Sequence, residues 1–151
     1  MENTWQIVVD CAAPQAMAKF WAQALHYVPE PAPAGHRTWR TYWQSMGMPE
    51  DELPPGAGEI PESLVGLQGG GPRIWFQQVP ESKSIKNRLH LDLLVGGGRG
   101  VRFEQRRQTV ADEAERLVGL GATVRAVHDM PEMGHFAICM FDIEGNEFDI
   151  V

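Results

Sequence analysis

The period of apolar positions changes along the chain, and each change marks an element. Residues 5–11, Trp-Gln-Ile-Val-Val-Asp-Cys, are rich in β-branched and aromatic types and predict a strand. It runs into Pro14, which suits a first helical turn because its missing N–H would have no partner there anyway. Met17, Phe20, Trp21, Ala24 and Leu25 then recur at helical spacing and predict a helix with one buried stripe. Short strands are predicted near residues 38–44, 64–68 and 73–79.

The pattern then repeats. From Leu89 the alternation is clean, with Leu91, Leu93 and Val95 on one side and His90 and Asp92 on the other. A glycine run, 96–100, ends this strand. A second amphipathic helix is predicted over about 108–120, with Val110, Ala114, Leu117 and Val118 on its buried side and Gly121 placed for a left-handed cap. Three strands follow at 123–127, 136–141 and 147–151, the last two joined by a tight turn over 142–146. The order is strand, helix, three strands, twice over, so an α+β fold of two βαβββ modules in tandem is expected. Module 1 spans about 4–81 and module 2 about 87–151 of one domain covering 1–151. Either module alone would leave a sheet face exposed, so the two are expected to pack together around a cleft that holds a ligand.

Within module 1, residues 46–61 form a long loop dense in proline and acid, with Pro49, Pro54, Pro55, Pro61, Glu50, Asp51, Glu52 and Glu59. It reads as a lid, a partner contact or a surface insertion.

Composition narrows the partners. Hydrophobic residues make up 43% of the 151 and charged residues 22%, which is ordinary globular usage. A formal charge of -7 has the wrong sign for neutralising phosphates, so no nucleic-acid partner is expected. Arg99, Arg102, Arg106 and Arg107 are interrupted and followed by acids and read as a solvated face. Cys11 and Cys139 are far apart with no CxxC spacing, which points to reduced thiols. No stretch approaches the ~20 apolar residues that span a bilayer, so no membrane partner and a cytoplasmic location are expected.

Aligning the first strands by their run into the helix sets Gln6 on His90. Aligning the last strands by a shared ending sets Phe76-Gln77-Gln78-Val79 on Phe148-Asp149-Ile150-Val151. Gln6, Gln77, His90 and Asp149 then occupy equivalent places, facing away from Ile7, Leu91, Phe76 and Phe148. The βαβββ repeat, Phe20-Trp21, residues 76–81, Asn87-Arg88-Leu89-His90-Leu91-Asp92 and above all the run from Asp142 through Gly145-Asn146-Glu147-Phe148 resemble the glyoxalase-like branch of the vicinal oxygen chelate superfamily. That group includes glyoxalase I, extradiol dioxygenases and bleomycin-resistance-type binding proteins. The resemblance covers nearly the whole chain except the proline-rich loop.

It implies a homodimer, a small-molecule ligand and, in metal-using members, ligands at the places of Gln6, Gln77, His90 and Asp149. Gln77 departs from the usual glutamate. Because glutamine amides compensate little of a dication's charge, the favoured expectation is a pocket whose residues hydrogen-bond the ligand, with no cofactor. The alternative is one divalent metal on Gln6, His90 and Asp149, in a lyase, isomerase or dioxygenase. A third reading is an antibiotic-sequestering dimer without catalysis.

Gln77 cannot act as a base, so lactoylglutathione lyase activity is not expected. Asp149, Glu147 and Asp92 are the candidate catalytic carboxylates, although Asp92 could instead pair with Arg88, and Glu147 could be a rim carboxylate. His128 and His135 flank a turn and read as exposed. Trp75 is assigned to the ligand pocket; with Trp39 and Trp43 it reads either as an aromatic wall or as core and interface packing.

Overall fold

Alternate residues of a strand face opposite ways, and in the first unit this puts Ile74 and Phe76 under a helix while Trp75 and Gln77 face away. The computed structural model describes residues 3–151, which divide into two compact units that part between Ser82 and Lys83. The first holds β1 (Gln6–Cys11), α1 (Pro14–Leu25), β2 (Val28–Pro29), α2 (Trp39–Ser45), β3 (Ser63–Val65) and β4 (Arg73–Gln78). Its four strands are ordered β1-β4-β3-β2, with β1 and β4 parallel. Met17, Phe20, Trp21 and Ala24 of α1 are buried with Leu64, Ile74 and Phe76. Burying a side chain of this size contributes about 1.5–3 kcal/mol.

The second unit repeats the plan with β5 (Asp92–Leu93), α3 (Phe103–Gly119), β6 (Thr123–Met130), β7 (His135–Phe141) and β8 (Glu147–Ile150). Its order is β5-β8-β7-β6, and β5 and β8 are again parallel. Val110, Ala114 and Leu117 of α3 are buried together with Ile138, Met140, Phe148 and Ile150. The turn before β8 is held by Asp142, whose buried carboxylate accepts from the amides of Glu144 and Asn146 and from the Asn146 side chain. The architecture is therefore α+β, two βαβββ units in tandem. Among the described residues, no helix is long and apolar enough to cross a membrane.

The strand expected from Leu89 pairs only over Asp92–Leu93, which leaves His90 outside it, and two further elements differ from the sequence reading. Residues 38–44 are not a strand; they enter α2, and the second strand of the unit is the short β2 instead. The side chain of Thr38 accepts from the Thr41 amide while the Thr41 hydroxyl accepts from the Thr38 amide, so both orphan donors of the first turn are met. This local cap outweighs the β preference of Thr, Trp and Tyr. The second difference is length: α3 begins at Phe103, a turn earlier than its apolar stripe suggests.

The proline-rich loop is ordered around one buried cation. Arg40, on α2 and only 8% exposed, donates from Nη1 to the carbonyls of Pro54 and Ala57, both at 3.1 Å, and pairs with Glu50 through Nη2. Its Nε lies 3.7 Å from Glu59. Leu53 of the same loop is buried. A second tie holds the entry to unit two: Glu147 accepts from the Asn87 amide at 2.9 Å and pairs with Lys83 at 3.1 Å. The Asn87 amide, with help from Lys83, outweighs burial and lowers the Glu147 carboxyl to about 2.

Two outcomes follow from these ties. Arg40→Ala leaves two loop carbonyls without their donor, so amide exchange over residues 50–59 should rise by roughly tenfold or more while α1 and β4 stay protected; hydrogen-exchange mass spectrometry reads this directly. For Glu147, a lowered carboxyl means its contribution is complete above its ordinary value and is lost as pH falls towards 2. Glu147→Gln should therefore cost about 1–2 kcal/mol near neutrality, with the gap to the parent closing between roughly pH 4.5 and 2 in denaturant titrations.

Candidate functional site

In the second unit the parallel ladder sets Asp92 directly across from Asp149. His90 lies two residues before Asp92, in the segment leading into β5. His90 Nε2 is 3.3 Å from Asp92 Oδ1 and 3.7 Å from Asp149 Oδ2. One donor atom from each of the three lies within 4.8 Å of the others. Asp149 is the least exposed of them, and its other neighbour across the sheet is Cys139 on β7. Burial first, then the hydrogen bond to and charge of Asp149, push the Cys139 thiol up, so it stays protonated beside the carboxylates.

This places three sequence-assigned residues in one cluster: His90 and Asp149, expected in the pocket, and Asp92, expected only as a candidate catalytic carboxylate. Its carboxylate is engaged with His90. Glu147 belongs to the structural tie with Lys83 and Asn87, which lowers its carboxyl to about 2 and so makes it a weaker base than an ordinary carboxylate. His128 and His135 are exposed on the β6–β7 hairpin.

In the first unit, Gln6 pairs across the ladder with Arg73, and Gln77 with Asp10. The two glutamines are thus four residues apart along the ladder, about 13 Å, and do not meet. Gln6 Oε1 accepts from Arg73 Nη1 at 2.5 Å, which commits its oxygen to a cation. Arg73 is further held by Glu30 through Nε and Nη2, both at 2.7 Å, and lies over the Trp39 ring at 5.8 Å.

Trp75 sits between the glutamines, across from Val8, and faces two neighbouring cavities. The smaller, about 210 Å³, is lined by Gln6, Trp39, Trp43, Glu62, Arg73 and Trp75 among others. The larger, about 310 Å³, is bounded by Trp43, Met48, Leu53, Glu62, Trp75 and Gln77 among others. Trp39 and Trp43 come from α2, four residues apart and one helical turn. Sequence reasoning assigned Trp75 to a pocket but missed Glu62 and Arg40. The i, i+4 tryptophans after a Thr-x-x-Thr cap were the available signal for this wall.

Comparison with known proteins agrees with this construction. Residues 6–151 match the model of the Glyoxalase-like domain family. No match was found among curated protein sequences. Among solved structures, a hypothetical protein from S. aureus superposes with a TM-score of 0.57 at 11% identity, covering 99% of this chain and 93% of that one. A variant of the fosfomycin resistance protein FosX from Listeria monocytogenes, complexed with Mn(II) and 1S,2S-dihydroxypropylphosphonic acid, gives 0.57 at 11% identity, with 99% and 89% coverage. A glyoxalase/bleomycin resistance protein/dioxygenase family enzyme from Burkholderia phytofirmans PsJN gives 0.54 at 18%, with 96% and 94% coverage. At these identities the structural likeness speaks for the fold, and the family match spans all but the first five residues. Two βαβββ units, each closed by a parallel first-to-last strand pair, and that match together make this chain a member of the glyoxalase-like domain family, within the vicinal oxygen chelate superfamily.

Proposed function

We propose that this protein binds a divalent metal through His90, Asp92 and Asp149 and uses it to hold a small organic molecule through oxygen atoms. The observation that carries the reading is the convergence of one imidazole and two carboxylates within 4.8 Å. Donor atoms 3.3 and 3.7 Å apart suit ligands sharing one ion at bonds of about 2.0–2.3 Å. The chemistry of the set also fits. Two carboxylates balance a dication's charge, and hard oxygen with one imidazole suits Mn(II) or Fe(II) over soft-metal sites. This changes the balance drawn from sequence, where a single carboxylate and neutral amides made a poor set. Gln6 is left out of the ligand set because Arg73 occupies its oxygen.

Such an ion, when bound, supplies Lewis-acid polarisation of a ligand oxygen. The chain's own groups do the rest. Asp149 stands across the ladder from Asp92 on one side and Cys139 on the other. Asp92, half exposed, is the more accessible of the two carboxylates. Gln77 has no titratable group, and lactoylglutathione lyase activity is not part of this reading. The Mn(II) of the Listeria neighbour makes that ion the first to try. Family resemblance makes a homodimer the expected assembly, which sedimentation velocity reads.

Mn(II) titration followed by calorimetry and by water-proton relaxation should give one site per chain. His90→Ala and Asp149→Ala should abolish it, and Asp92→Asn should weaken it by more than about tenfold. An unchanged Mn(II) affinity in Asp92→Asn removes the three-residue site. Absence of binding by Mn(II), Fe(II) and Zn(II) alike overturns the metal reading and favours sequestration without chemistry.

A further inference from the structure

We propose that the larger cavity of the first unit, walled by α2 and residues 48–57, is a binding site for an organic cation: an ammonium group facing Glu62, carried on a flat apolar body against Trp43 and Trp75.

The charges around this cavity are one-sided. Its lining is apolar and aromatic except for Gln77, Gln78, Glu52 and Glu62, with no lysine, arginine or histidine. Glu62, Trp43 and Trp75 form the boundary shared with the smaller cavity. The nearby arginines are spent. Arg73 is held by Glu30 and Gln6, and Arg40 by the Pro54 and Ala57 carbonyls and Glu50. Glu62 itself accepts only neutral donors among its named partners, the Gly58 amide at 3.4 Å and the Gln15 side chain. Burial is the largest influence on it and raises its carboxyl above the usual value. A carboxylate in such surroundings gains most from a ligand that brings its own positive charge. Indole faces attract the same kind of group, through the negative face of the ring.

The wall is built to hold its shape. Gly58 has φ +73°, and a Cβ there would sit 2.5 Å from the Trp43 ring and 2.7 Å from the Arg40 amide nitrogen. The loop backbone therefore lies flat against the indole at a spacing only glycine permits. Arg40 fixes the same loop from behind through two carbonyls. At about 310 Å³ the cavity lies at the small end of ligand pockets, suited to a single ring with a short amine arm.

A charge series tests this on the full chain in a chelating buffer, so that metal binding in the other unit does not enter. The probes are 2-phenylethylammonium, 2-phenylethanol and 3-phenylpropanoate, followed by calorimetry and tryptophan fluorescence. The ammonium should bind at least about tenfold more tightly than the alcohol, and the carboxylate most weakly. Glu62→Gln should erase the preference for the ammonium while leaving alcohol affinity within about twofold, and Trp43→Ala should weaken both. Equal or tighter binding of the alcohol or the carboxylate overturns the proposal. So does no binding of the ammonium, or an ammonium preference that survives Glu62→Gln.

Discussion

The placement of every group proposed for function depends on a parallel pairing of strands distant in sequence. In each unit the first strand lies beside the last, β1 on β4 and β5 on β8, and one helix covers the buried face. Phe76 and Phe148, each 1% exposed, anchor those last strands under the helices. With that face fixed, the alternate residues have one place to go. A slip of one residue would bury Asp149 and expose Phe148, so burial of the phenylalanines specifies the register that sets Asp149 beside Asp92.

The same pairing gives the two units different chemistry. On β5 and β8 the outward residues are Asp92, Glu147 and Asp149, and His90, just before β5, joins the two aspartates to make a charged set with a protonated thiol beside it. On β1 and β4 they are Gln6, Val8, Asp10, Arg73, Trp75 and Gln77, in which the one cation is neutralised by Glu30 and the centre is an indole. The proline-rich loop extends that apolar centre into a cavity, and it does so through a buried arginine. Arg40 replaces a hydrophobic core for this loop: its guanidinium meets two backbone carbonyls that would otherwise have no donor. One side chain thereby ties the acidic loop to α2 and sets where Trp43 stands.

Local signals in the sequence carried much of this. Pro14 and the Met17, Phe20, Trp21, Ala24 stripe marked α1, and alternation from Leu91 to Val95 put His90 and Asp92 on one side. The Asp142 to Asn146 turn was legible because aspartate, glycine and asparagine each have a turn chemistry. α2 was not, because Thr38, Trp39, Tyr42 and Trp43 favour strands, and the Thr38–Thr41 hydrogen bonds that outweigh this preference form only in the folded turn. The meeting of Asp92 with Asp149 depends on register between strands more than fifty residues apart, and aligning the halves by sequence gave a frame in which Gln6 and Gln77 seemed equivalent partners. Arg40 looked like any surface arginine, since nothing in its neighbours announces burial.

Anomalous diffraction from crystals soaked in Mn(II) shows whether strand register brings His90, Asp92 and Asp149 together as a metal site. An anomalous peak within about 2.0–2.3 Å of His90 Nε2 and of a carboxylate oxygen from both Asp92 and Asp149 is the expected result. A peak bound elsewhere, or one that His90 and Asp149 hold without Asp92, contradicts it.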